Sequence, residues 1–206
     1  DGLKMEITAH GTHVQGAGVQ LKLGADLGLD FSDESFQLND LSIVGADTRV
    51  TGHLHGKGFG DLPQLNGRLV IDEINLRSWL VMLGADVDTS DSQVLTRMSA
   101  EIGLQQQDEL LSLHPMLLQL DDSMIHGKAE IRIQDNLQIE GKLSIDRIDL
   151  DRYLTNADVG ERSGFQLSAR LEALRNLQLD AELTIGQLTL NNIDLQQVTI
   201  KVKSRE

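Results

Sequence analysis

Cysteine does not occur in this chain, and proline, tryptophan and tyrosine are nearly absent, at two, one and one. Without thiols there is no disulfide framework and no cysteine-ligated zinc, and the redox compartment is left open. Aromatics are 3% of residues, so apolar surface here means Leu, Ile and Val. Positive charge is scarce as well: 18 Lys+Arg stand against 32 Asp+Glu, a net charge of −14. That field repels phosphate backbones, and with no basic stripe to offset it, nucleic acid is not an expected partner. No apolar run approaches the roughly 20 residues that cross a bilayer as a helix. Also missing are Gly-x-Ser-x-Gly, a Gly-rich phosphate loop and His-Glu-x-x-His, so the chain is not expected to be an enzyme and no cofactor is expected.

What is present is a foldable chain. Its 206 residues are 40% apolar and 24% charged, a globular balance long enough to bury a sizeable core. The start, "DGLKMEITAH", is neither an initiator Met nor a signal peptide, and the end, "VTIKVKSRE", stops within an alternating run. Both lead to the expectation of a piece of a longer chain.

The dominant period is two. "LQLDAELTI" (177–185) sets Leu177, Leu179, Ala181, Leu183 and Ile185 on one side and Gln178, Asp180, Glu182 and Thr184 on the other. "LQIEGKLSI" (137–145) repeats this with Leu137, Ile139, Leu143 and Ile145, and similar alternation runs through 19–23, 50–56, 98–104, 129–133, 165–173 and 198–202. At least eight such runs, separated by Gly, Asn or Asp, predict antiparallel strands with one face wet and one apolar. Helix is scarce: "NLRSWLVMLG" (75–84) carries Leu76, Trp79, Leu80 and Leu83 at helical spacing, with Asn75 to cap it and Gly84 to end it. "DLDRYLTN" (149–156) is a shorter counterpart, with Asn156 as its stop. Pro115 argues against a continuous helix or a central strand over 108–120, which reads as a bent connection.

One phrase recurs. "GRLVIDEINLRSWL" (67–80) returns without a gap as "GKLSIDRIDLDRYL" (141–154), and "GQLTLNNIDL" (186–195) is a shorter echo. In each, Gly opens a strand whose Leu and Ile point one way (Leu69/Ile71, Leu143/Ile145, Leu188/Leu190). The next apolar residue then comes three positions on, a slip of parity that predicts a bulge or a turn. A second Asn or Asp caps a short helix in the first two copies, and the third continues as strand. The separation of 74 residues suits a supersecondary unit of several strands and one short helix.

These stretches resemble the AsmA-like family. "GHLHGKGFGDLPQLNGRLVIDEINLRSWLVMLGAD" is similar to that family's strand pair running into a short helix ending in Leu-Gly. "LLQLDDSMIHGKAEIRI", followed by "LQIEGKLSIDRIDLDRYL", is similar to its next segment. The likeness covers about 40–195 and consists of apolar and turn positions. The resemblance implies a mainly β fold: an elongated, curled, U-shaped or taco-like antiparallel sheet of repeated strand units with a few short helices. Residues 1–206 would form a single such fragment, with units at about 40–95, 96–160 and 161–206. It further implies a periplasmic protein of Gram-negative bacteria, held at the inner membrane by an N-terminal helix outside this sequence. That protein would bind phospholipid acyl chains and move phospholipid between inner and outer membrane, in the manner of bridge-like lipid transfer proteins. The alternative is a scaffold or assembly factor for outer-membrane proteins, with outer-membrane or periplasmic proteins as partners.

The candidate lining comprises Leu69, Ile71, Leu137, Ile139, Leu143, Ile145, Leu177, Leu179, Leu183 and Ile185. Composition alone favours burying such a face against a second layer, whereas the resemblance favours an open groove. No metal site is expected. His53 and His55 share a strand face and His10 and His13 lie three apart, but neither pair has a third ligand at defined spacing. "DVDTSD" (86–91) lacks the Gly and Glu of a calcium loop. Asp121 and Asp122, adjacent in sequence, suit a turn better than a catalytic pair, since neighbouring strand residues face opposite ways. Trp79 and Tyr153, at matching repeat positions, are read as packing a helix onto the sheet.

Overall fold

In a computed structural model, residues 3–12, 18–45, 48–60, 63–82, 84–133, 137–154 and 178–203 are described. They are mainly β. Eleven strands form one sheet in sequence order: β1 Leu3–Thr12, β2 Gly18–Asp30, β3 Ser35–Gly45, β4 Thr48–Lys57, β5 Gln64–Ile74, β6 Met98–Gln107, β7 Leu110–Leu120, β8 Ser123–Ile133, β9 Leu137–Asp149, β10 Gln178–Leu190 and β11 Ile193–Lys203. Among the described residues β1 pairs only with β2 and β11 only with β10, so the sheet is open.

The sheet is not wholly antiparallel. β9 and β10 run parallel, with Leu179 opposite Ile139 and Ile185 opposite Ile145. A parallel pair needs a crossover of a dozen or more residues, and the interval 155–177 supplies that length. Alternation along a strand is blind to direction, so the sequence pattern could not separate the two pairings. The expected strand 165–173, Leu177 and the stop at Asn156 lie outside the described residues.

Pro115 also departs from expectation, since it sits within the central strand β7. The ladder to β8 skips between Leu113 and Met116, and the ladder to β6 skips between Ile102 and Leu104. This bulge takes His114 and Pro115 out of the pairing, so the missing N–H costs no ladder bond. The parity slip of the first repeat is likewise a bulge, between Ile71 and Ile74. In the third copy the slip is a two-residue hairpin, Asn191–Asn192, both with positive φ, as a primed turn requires.

The short helix α1, Leu76–Met82, begins where Asn75 Oδ1 accepts from Ser78 N at 2.9 Å. It ends at Gly84 with φ +83, where Gly84 N donates to Val81 O and Ala85 N to Leu80 O, each at 2.9 Å. After β9 a 3-10 turn, Leu150–Arg152, is capped by Asp149, whose carboxylate accepts from Asp151 N. Register places both helical pieces at one rim of the sheet, together with the Asp121–Asp122 and Asn191–Asn192 turns. The core is small for the chain length. Among the described residues the buried apolar side chains are Ala25, Val94, Ala100, Ile185 and Leu188.

Candidate functional site: the aliphatic face

Residues paired across a ladder share a face, so the register can be read as rows running across the sheet. One row, from β3 to β11, is Ile43, Val50, Ile71, Ala100, Leu118, Ile125, Ile145, Ile185 and Val198. The next is Leu41, Gly52, Leu69, Ile102, Met116, Gly127, Leu143, Leu183 and Ile200. A third passes through Leu54, Gly67, Leu104, Leu113, Ala129, Gly141 and Ala181. A fourth carries Ile131, Ile139 and Leu179.

Eight of the ten candidates lie in these rows, Leu137 shares their face two residues before Ile139, and Leu177 lies outside the described residues. Their exposure is graded: Leu137 is 42% and Leu143 36% accessible, whereas Ile185 is 4%. Ile185 supports the surface more than it presents it. The two rows that cross nine strands, with the shorter third and fourth at the same two-residue spacing, cover on the order of 800 Å² in projection. Apolar patches on monomeric proteins seldom exceed a few hundred Å². Among the described residues, no strand or helix is laid against this face as a second layer.

Large residues overlie the row glycines. A Cβ at Gly67 would stand 2.9 Å from Leu54 Cδ1, and one at Gly52 would stand 3.0 Å from Leu69 Cδ2. Each glycine leaves room both for the neighbouring strand's carbonyl, Arg68 O at Gly52 and His53 O at Gly67, and for its neighbour's side chain.

The opposite face is polar. Lys142 opposes Glu182, and Lys201 and Lys203 pair with Glu182 at 3.5 Å and Asp180 at 3.3 Å. Depressions of about 320 Å³ and 460 Å³ open on this side, among Lys128, Glu130, Glu140 and Lys142, and beside His114, Leu117 and His126. Leu143 reaches the edge of the second, and none of the other candidates lines either one. His53 and His55 lie on this face, with ring centroids 5.7 Å apart. His13 and the side chain of His10 lie outside the described residues.

The rim that carries the helices is held by polar side chains that sequence reasoning did not connect. Asp121, 2% exposed and with positive φ, starts the β7–β8 turn. Its carboxylate accepts from Leu95 N at 2.8 Å, Thr96 N at 3.1 Å, Arg97 N at 3.2 Å and the Tyr153 hydroxyl at 2.8 Å. Arg152 donates to Asp91 at 2.8 Å and to Asp122 at 3.1 Å, and Arg97 donates to Asp122 at 2.8 Å. The Gln93 main-chain N–H and Arg152 hold Asp91 below the usual carboxylate range, and Arg152 and Arg97 do the same for Asp122. Burial, then the Asp121 carboxylate, push the Tyr153 hydroxyl well above its ordinary value.

Arg77 of α1 donates to the carbonyls of Val94 and Val87 and to Thr89 Oγ1, so the 86–91 loop packs around a guanidinium. Trp79 Nε1 donates to Thr48 Oγ1 at 2.6 Å. The two aromatics at matching repeat positions thus both fasten a helical piece to a neighbouring strand or turn. The one available signal was their polar ring atoms, which seek partners when covered. The turn at Asp121–Asp122 was foreseen, but its partners 24 to 32 residues away were not.

Compared with known protein families, with curated proteins and with solved structures, the chain matches none.

Proposed function

We propose that the chain is a lipid-handling module whose aliphatic face solvates the acyl chains of phospholipids. The observation that carries this reading is the set of rows from β3 to β11, on which Leu, Ile, Val, Ala and Gly coincide across strands of widely separated sequence. Acyl chains need contact area without fixed geometry, and rows of aliphatic side chains interspersed with glycine provide it. Each buried CH₂ gains roughly 0.8 kcal/mol, so a long chain is held by many small contributions and can slide.

On this reading the sheet curls around the apolar side as an elongated trough, and the stretches 40–95, 96–160 and 161–206 are its repeated units within one fragment. This is the AsmA-like arrangement. The module would act in the periplasm, on a protein anchored in the inner membrane by an N-terminal helix, in phospholipid movement between the two membranes. It would act without catalysis. A second reading, a scaffold for outer-membrane proteins, is favoured by β11, which has one ladder partner among the described residues and could pair with an incoming strand.

Native mass spectrometry of the chain purified from cells tests the two. Co-purified phospholipid is expected, and it should be lost in Leu143→Asp, Ile145→Asp, Leu179→Asp or Leu183→Asp variants that keep the far-ultraviolet β signal. Retention of lipid in all four, or a bound peptide in its place, would overturn the reading.

A further inference from the structure

The chain has four phenylalanines, and two of them meet at the rim opposite the helices. Phe31, in the β2–β3 turn, is 78% exposed, and Phe59, beyond β4, is 48% exposed. Their ring centroids are 5.9 Å apart at 51°. The support beneath them is ordered: Asp30 Oδ1 accepts from Ser32 N at 2.8 Å and Asp33 N at 3.1 Å. Gly58 N donates to Glu34 O at 2.6 Å, joining the two loops. Leu29, 47% exposed, stands opposite Phe36, which stands opposite Gly56 on the aliphatic face. The aliphatic face therefore extends to the ends of the strands that carry this tip.

We infer that Phe31 and Phe59 form a docking tip that inserts into the interface of a zwitterionic lipid bilayer. The exposed parts of the two phenylalanines amount to roughly 200–300 Å² together, far below the ~1,000 Å² of a specific protein interface, yet suited to reversible partition into lipid. Neither ring offers a hydrogen-bonding atom that a protein partner could recognise. Charge selects the bilayer type. Exposed Asp30, Asp33 and Glu34 surround the tip, and among the described residues of these two loops Lys57 is the cation that opposes them. Three carboxylates against one ammonium repel anionic head groups and match the amines of choline or ethanolamine lipids. The inference rests on the proposed function for what passes over the tip, and not for the docking itself.

Flotation with phosphatidylcholine vesicles tests it. The wild-type chain should float, and Phe31→Ser/Phe59→Ser should lose at least tenfold in bound fraction with an unchanged thermal melt. Phosphatidylglycerol vesicles should bind several-fold less at low ionic strength, with the gap narrowing as salt is added. In Phe31→Trp, brominated phosphatidylcholine should quench emission beyond any effect on Trp79. A wild-type chain left at the bottom of the gradient, a double variant that floats equally, or equal uptake by phosphatidylglycerol at low salt would each overturn the inference. Leu143→Asp separates the two proposals: it should lose co-purified lipid and still float. A chain that floats without ever carrying lipid sinks the trough and keeps the tip. One that carries lipid without floating does the reverse.

Discussion

Asp121 and Arg152 show how single residues hold the helical rim together. Asp121 satisfies three successive main-chain donors and a tyrosine hydroxyl, so a turn residue also fixes the start of β6 and the end of β9. Arg152 bridges Asp91 and Asp122, and both carboxyls lie below their ordinary value because their charged forms are hydrogen-bonded. The consequence for pH has a definite sign. A carboxyl depressed on folding stabilises the fold above its unfolded value, about 3.9, and that contribution is lost as pH falls through the lower folded value. Arg152→Met should therefore lower the urea midpoint at pH 7, and its difference from the wild-type chain should close on acidification below about pH 4. A gap that stays constant from pH 7 to pH 3 would mean that Arg152 acts through packing of its stem alone.

At the level of strands, glycines in the aliphatic rows differ in what they permit. Gly127 lies under Leu143, and a Cβ there would stand 2.5 Å from the Lys142 carbonyl oxygen, a main-chain atom that cannot step aside. Gly141, in the neighbouring row, has 3.8 Å to its nearest such atom. Gly127→Val should then cost about 1–3 kcal/mol by overpacking, whereas Gly141→Ala should be neutral or stabilise by up to about 1 kcal/mol through the unfolded chain. Urea unfolding of both variants measures the contrast, and equal effects would contradict it. The same elements mark what could be read in advance. Strand β4 and the stretches 137–145 of β9, 178–185 of β10 and 198–202 of β11 alternate cleanly and were visible, as were the caps at Asn75, Gly84 and Asp149. β3 was not, because Asn39 and Asp40 sit where its ladder to β4 skips from Leu38 to Leu41 and break the period. β7 was hidden by Pro115 for the same reason, since a bulge removes the parity that a pattern search relies on. The direction of β10 and the partners of Asp121 depend on contacts distant in sequence, where no local period carries information.

Across the whole molecule, an open sheet and a closed pocket make different demands on a ligand. A closed pocket ends in a wall, so affinity for a homologous series of fatty acids passes through a maximum at the chain length that fills it. The face described here runs along strands of up to 13 residues, roughly 43 Å at 3.3 Å per residue, with no second layer among the described residues. A chain lying on it is covered on one side only. Full burial of a CH₂ is worth roughly 0.8 kcal/mol, about fourfold in affinity, and half-burial about twofold. Dissociation constants for saturated fatty acids from 10 to 16 carbons, measured by displacement of a fluorescent fatty acid below their micelle concentrations, should therefore fall steadily by about twofold per carbon. A slope near fourfold would require each chain to be enclosed on all sides. An optimum at one length would require an end wall, and a flat series would require that the rows of Leu and Ile carry none of the binding.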